Sequence, residues 1–392
     1  MHLALLSPNE FYEIDAESGV LRRRVRGPKS LRPHLVVLAD DLLGAYTKGV
    51  TVCDATVAVS HPDYVFQCRV ILLYWTGDYP AQAAVSGTHS KTCHWCRHKS
   101  VHAPEINRRC WCDYRRFLPE GHELRQHASF GPPEHLPPPE PRDHDSFVAD
   151  AVANLRWRGT KKDAPYKATG VKELSPLAAL PLFDLVWDIL PDMMHVLPNI
   201  WKAHVFQMLV GNRMPKKPRP RKSLDKAANA ELAASHEDAV RELAEWRLSD
   251  EMQAELDRRS MHLGGEPNWI RNNLKICSNA STLKAHDWML LIQTAGRYIL
   301  HGLFPEDQGK YKCLLRLLDA TNRCLVATSA WDSENREEID AVKLEVVEAL
   351  CHAEAYMPRT EMPVMFHILV HIPDSIYRWN SVRNFWGFFG ER

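Results

Sequence analysis

The chain has 392 residues, 45% hydrophobic and 25% charged, and its 49 basic residues equal its 49 acidic ones. That composition excludes a disordered polypeptide and leaves no overall field to attract nucleic acid or an anionic membrane. Any polyanion binding must come from local patches, and the length suits two domains or one domain with a large insertion.

Of the ten cysteines, only Cys93, Cys96, Cys110 and Cys112 cluster. This suits a reducing compartment with one metal site better than a secreted disulfide framework. The N-terminal apolar run is too short for a signal peptide, and no uninterrupted apolar window could span a membrane. The expectation is a soluble, intracellular protein that is not secreted.

In chain order, "FYEIDAESGVLRRRVRG" reads as a hairpin around a Ser-Gly turn. "HLVVLADDLLGAYTKG" has helical spacing and stops at Gly49. "YVFQCRVILLYWTGD" is rich in β-branched and aromatic residues and predicts one long strand, buried towards its end. The proline-rich residues 131–145 form an extended connector, followed by a helix from about Ser146 to Arg158. "SPLAALPLFDLVWDILPDMMHVLPNIWK" predicts short buried helices, or a strand leading into a helix. Residues 213–226 are a basic, proline-broken linker, and strong helix formers of mixed charge follow it. Residues 282–303, 310–328 and 337–357 show helical periodicity, the last stopped by Pro358.

Several side chains could carry chemistry. Asp78 ends the long apolar run, where α/β folds place metal-binding or catalytic groups, although "TGDYP" also reads as a plain turn. Asp192 and His195 would share one face if their segment is helical, and could meet at a metal or simply cap and pack. Cys93, Cys96, Cys110 and Cys112 could supply four thiolates to one zinc ion, with His94, His98, His102 and His122 as alternative ligands. A metal there would stabilise a segment with no apolar core of its own. The basic runs "LRRRVRGPKSLR" and "RMPKKPRPRKSLDK" could neutralise phosphates or be solvated charge; in the second, Lys216, Lys217, Arg219, Arg221 and Lys222 are the DNA-binding candidates.

The order of these signals is more specific than any one of them. "LYWTGDYPAQAAVSGTHSKTCHWC", "YRRFLPEGHELR", "LPDMMHVLPNIWK", "LKAHDWMLLIQ", "MPVMFHILVHIP" and "FFGER" follow one another as in CACTA-type (En/Spm-like) DNA transposases, which the chain resembles from about Leu35 onwards. The resemblance implies a mixed α+β fold: a ribonuclease H-like core, incomplete here, with a large helical insertion and a zinc-knuckle-like loop. On that division, residues 1–130 hold the N-terminal part of the core with the Cys cluster, and 131–175 the connector and helix. Residues 176–212 carry the Asp-x-x-His core segment, 213–335 the basic linker and helical insertion, and 336–392 the C-terminal part of the core.

The resemblance further implies cut-and-paste DNA phosphodiester cleavage and strand transfer on two Mg²⁺ or Mn²⁺ ions. Asp78 would be the second carboxylate, Asp192 and His195 the Asp-x-x-His signature, and Glu391 the third carboxylate. Zinc would be structural. DNA at transposon ends and further copies of the chain are the expected partners, with the nucleus as the compartment. The family's upstream Asp-Gly-Phe segment does not occur; Asp15, Asp40, Asp41 and Asp54 lack its context. The expectation is therefore a fragment or decayed copy, inactive as it stands, or a non-enzymatic zinc-stabilised DNA-binding or interaction protein derived from a transposon.

Overall fold

Pro33 sits in the first turn of helix α1 (Arg32–Thr47), where a missing N–H is harmless, and Gly49, at φ +78°, follows the C-cap Lys48. The structure, a computed structural model, describes residues 12–14, 21–23, 30–89, 91–127, 135–160, 164–218, 220, 224–263, 275–280, 283–327 and 334–385. Before α1, strands β1 (Tyr12–Ile14) and β2 (Leu21–Arg23) pair antiparallel as the expected hairpin. After α1, β3 (Val50–Cys53) and β4 (Val65–Cys68) form a second antiparallel pair, with Val50 opposite Cys68.

The single long strand expected from Tyr64 to Asp78 does not form. β4 stops at Cys68, and β5 covers only Trp75–Gly77. The reason is a change of partner. β4 belongs to β3, whereas β5 runs parallel to β8 (Ile189–Pro191). Between them Val70, Ile71 and Leu73 are exposed, so the expected burial is also absent. Their β-branched and apolar character is propensity without a sheet to bury it.

β5 leads directly into α2 (Tyr79–Ser86), capped by Asp78 at its start and by Gly87, in the left-handed region at φ +81°, at its end. A Cβ on Gly87 would also lie 2.2 Å from the Glu173 carbonyl oxygen. Gly87→Ala is therefore expected to cost about 1–3 kcal/mol from backbone strain alone, before the clash is relieved. A urea-unfolding midpoint within error of the parent would contradict it.

The next segment is a hairpin of β6 (Val101–Ala103) and β7 (Arg108–Cys110), a 3₁₀ turn at Tyr114–Phe117 and a short helix α3 (Glu123–Gln126). The sequence led us to expect a loop without a core. Instead Trp95, Trp111 and Tyr114 are all at most 2% exposed. Glu354 receives the backbone N–H groups of Asp113 and Tyr114 at 2.8 and 3.0 Å, and Trp111 N–H donates to the Met362 carbonyl at 2.8 Å. Core for this segment comes from residues far along the chain.

Helix α4 (His144–Arg156) opens with a capping box between Asp143 and Ser146, close to its expected position. A short helix α5 (Tyr166–Thr169) and a 3₁₀ turn at Pro176–Ala179 precede β8. The strand then feeds α6 (Met193–Pro198), a π-helical stretch Asn199–Phe206 and α7 (Gln207–Leu209).

The described elements that remain are helical: α8 (Lys226–Ala244), α9 (Asp250–Met261), α10 (Ala285–Leu290), a π-helical stretch Leu291–Ala295, and α11 (Gly296–Leu300). α12 (Gln308–Val326), α13 (Glu334–Tyr356), α14 (Val364–Leu369) and α15 (Ile372–Trp379) follow. Asp225, Ser249 and Asp307 cap α8, α9 and α12 by accepting from backbone N–H groups. α12 packs on α13, Leu314, Leu317, Val342 and Val346 are buried in these two helices, and Trp201, Phe206 and Trp288 belong to the same core.

One ionic node lies inside. Glu361 is fully buried and receives Arg213 at 2.8 Å, Arg108 at 3.0 Å and His204 at 3.4 Å. It ties β7 and the π-helical stretch after α6 to the 3₁₀ turn before α14. Among the described residues no helix is long and apolar enough to cross a membrane.

Candidate metal centre

β5 and β8 are parallel and in register, with Gly77 opposite Pro191. The next residue on each strand is an aspartate, so Asp78 and Asp192 leave neighbouring strand ends on the same edge. Gln82 braces the pair, its Nε2 donating to the Gly77 carbonyl at 2.9 Å and the Leu190 carbonyl at 2.6 Å.

Each aspartate also starts a helix. Asp78 Oδ1 accepts from Ala81 N–H at 2.9 Å, and Asp192 Oδ1 accepts from Met194 N–H at 2.9 Å. Asp192 Oδ2 is 2.6 Å from His195 Nδ1; the Asp192 side chain is 4% exposed and that of His195 35%. Asp78 is half-buried. The cap, the turn and the Asp-His pair foreseen from the sequence are thus all present at once. No third ligating side chain joins the two aspartates closely among the described residues. Glu391, Arg219, Arg221 and Lys222 lie outside the described residues, while Lys216 and Lys217 are exposed.

A different cluster is fully assembled. Cys93, Cys96, His367 and His371 are buried, and their ligand atoms all lie within 4.8 Å of one another. Cys93 Sγ is 3.3 Å from His371 Nε2, Cys96 Sγ is 3.5 Å from His367 Nε2, and the two Nε2 atoms are 3.3 Å apart. Tetrahedral zinc with Zn–N of about 2.0–2.1 Å and Zn–S of about 2.3 Å would need ligand–ligand edges of roughly 3.3–3.8 Å. The donor set and its spacing fit that ion.

Local structure explains the placement. Cys93 and Cys96 close a tight turn in which Trp95 N–H donates to Cys93 Sγ at 3.3 Å and His98 N–H to Cys96 Sγ at 3.4 Å. Arg142 Nε holds the carbonyls of Cys93 and Cys96 at 3.3 and 3.1 Å. His367 lies in α14 and His371 is the N-cap of α15, and the short turn between the two helices brings their Nε2 atoms together. Trp111 and His98 both stack on His367, with ring centres 4.7 and 4.8 Å from it respectively. Burial raises the Cys93 thiol, but the Cys96 hydrogen bond and the charges of His371 and His367 outweigh it and bring Cys93 well below the usual range. Cys96 moves up, first through burial and then through its bond to Cys93.

The zinc set expected from the sequence differs by half. Cys110 and Cys112 stand outside the cluster as buried thiols, pushed up by burial to about 11 and about 12 respectively. The alternative histidines are engaged elsewhere. His94 Nε2 meets the Val186 carbonyl at 3.1 Å, His102 Nδ1 the Arg108 carbonyl at 3.1 Å, and His122 Nε2 the Glu348 carboxylate at 3.0 Å. His98 packs against the His367 ring, and burial lowers it to about 3. His367 and His371 went unnominated, although His-x-x-x-His in "MPVMFHILVHIP" is the natural partner spacing for Cys-x-x-Cys.

A family model described as "Transposase family tnp2" matches residues 25–153, about a third of the chain. The matched span contains Asp78, Cys93 and Cys96 and stops short of Asp192 and the two histidines. No curated protein matches, and no solved structure does. The match supports a transposase-derived protein, and a transposase family suggests DNA as partner.

Proposed function

We propose that the chain derives from a CACTA-type DNA transposase, with β5 and β8 as neighbouring strands of a ribonuclease H-like core. Asp78 and Asp192 are then two of its metal-binding carboxylates. The register of Gly77 against Pro191 carries this reading, because it sets both carboxylates at the strand ends where such folds collect ligands. Carboxylate oxygens suit Mg²⁺ or Mn²⁺. Such ions, when bound, supply activation of water or a 3′-hydroxyl and stabilisation of the leaving oxygen. The chain's own part is orientation. Met194 N–H and His195 fix the buried Asp192, and Asp78, half-buried, is the carboxylate a DNA strand would meet. Glu391 is the third carboxylate in this reading, the linker lysines Lys216 and Lys217 contact DNA, and the nucleus is the working compartment.

Without an Asp-Gly-Phe segment the negative charge is too small for two ions, so the chain does not nick DNA. Asp78→Asn separates the metal reading from a plain cap, since Asn caps a helix as well as Asp and removes only the charge. Mn²⁺ titration followed by electron paramagnetic resonance is expected to show one weak site, weakened about tenfold or more by Asp78→Asn, about 1.4 kcal/mol, with an unchanged melting curve. Identical Mn²⁺ binding in the parent and in Asp78→Asn/Asp192→Asn would remove the catalytic reading.

The buried Cys93/Cys96/His367/His371 cluster favours the second reading, a non-enzymatic zinc-stabilised DNA-binding protein derived from a transposon. Salt-sensitive duplex binding, with no nicking even after an Asp-Gly-Phe segment is supplied, would select it.

A further inference from the structure

Beyond the C-terminal end of α2 lies a cleft of about 350 Å³, and four of its lining side chains are cationic: Lys91, Lys99, Arg109 and Lys167. Among the described residues no carboxylate lines it. None of the four forms an ion pair with a described residue. Soluble surfaces ordinarily intersperse both signs of charge, and this chain has a formal net charge of +0. Four cations in one concavity, unopposed by any described carboxylate, therefore mark a local attraction for anions.

The cleft has a rigid frame. Thr92 and Lys99 form an antiparallel bridge, and Ser100 donates to the Lys91 carbonyl through its N–H at 3.3 Å and its Oγ at 2.9 Å. Lys91 and Lys99 thus leave adjacent rungs of one tight loop. Arg109 is clamped to Ser100, its guanidinium donating to the carbonyl at 2.9 Å and to Oγ at 3.1 Å. His89 and Tyr166 stack beside them, 5.8 Å between ring centres and 19° between planes. Burial first, then the charges of Lys91, Lys172 and Arg109, hold His89 below the ordinary imidazole range. It offers an aromatic face and a neutral hydrogen-bonding edge instead of another charge.

We propose that this cleft is a phosphodiester site that holds the backbone of a DNA strand passing Asp78. The proposal rests on the DNA reading above and adds a contact to which the linker lysines do not belong. Lys and Arg donors meet phosphate oxygens, and a stacked aromatic pair next to them suits a sugar or base. The eight residues of α2, about 12 Å of helix, separate Asp78 from Gly87. At about 3.4 Å of rise per nucleotide, that is a few nucleotides of strand.

Free phosphate or a mononucleotide would present the same oxygens, so the test distinguishes them. Fluorescence anisotropy of a labelled duplex and its single strand is measured over a salt series with the full chain. The parent is compared with Lys91→Ala/Lys99→Ala/Lys167→Ala and with Lys312→Ala, an exposed lysine on α12. The three cleft lysines are exposed, so the variant should fold, and a circular dichroism melt checks this. The triple variant is expected to bind at least about tenfold more weakly at low salt and to lower the slope of log K against log[salt] by about 2, while Lys312→Ala changes neither. Unchanged affinity and slope in the triple variant would overturn the cleft and leave the DNA reading intact. No DNA binding by the parent at low salt would remove both. Displacement of the strand by micromolar inorganic phosphate or AMP would assign the cleft to a free ligand and overturn the strand proposal.

Discussion

Glu361→Ala is expected to destabilise the protein by about 3–5 kcal/mol, the cost of leaving one side of a buried ion pair without its partner. The carboxylate is fully buried, with Arg213 at 2.8 Å and Arg108 at 3.0 Å. Burial lowers His204 below the usual imidazole range despite its bond to Glu361, so the two arginines carry the balancing charge. Removing the carboxylate leaves two guanidinium groups, 31% and 23% exposed, pressed together with only partial access to water. Glu361→Gln keeps the volume and loses the charge, and should cost less, about 1.5–3 kcal/mol for its charge-assisted bonds. Urea unfolding measures both. A loss under about 1 kcal/mol for the alanine variant would show that water reaches the node and screens it.

The second large effect concerns the Cys/His cluster. Purified protein should carry about one equivalent of zinc, and Cys93→Ser or His371→Ala should each reduce it to near zero. Cys110→Ser and Cys112→Ser should leave it unchanged, because neither thiol is in the cluster. Binding energy at a structural zinc site is folding energy, about 10–16 kcal/mol in small finger peptides. The cluster here is embedded in an extensive apolar core that also contributes to stability, so the expected loss is smaller, about 5 kcal/mol or more. Zinc retained by Cys93→Ser, or lost in Cys110→Ser, would reject this ligand set in favour of the four-cysteine one.

Legibility followed the range of the interactions. α8, α12 and α13 were readable because strong helix formers, capping residues and apolar spacing all act within a few turns. Asp78 and Asp192 were nominated from local pattern and family resemblance, and their adjacency depends on a strand pairing that no local pattern encodes. The long strand was misjudged for the same reason: propensity reports that residues 64–77 favour extended backbone, and cannot report that they serve two different sheets. The cysteine pair was visible, yet nearness in sequence favoured Cys110 and Cys112 over histidines that arrive much later. The cationic cleft was invisible, since its members come from one tight loop, from β7 and from α5.

The Cys/His cluster closes contacts between residues 271 and 278 positions apart. At about 5–20 residues per second of synthesis, both thiols leave the ribosome some tens of seconds before either imidazole exists. During that interval the sulfurs have no partner in their own polypeptide and are open to oxidation or to scavenging chaperones. Yield in the producing cell should therefore follow its thiol-reducing capacity and its free zinc, and a separately expressed N-terminal half should be a poor substitute for the whole.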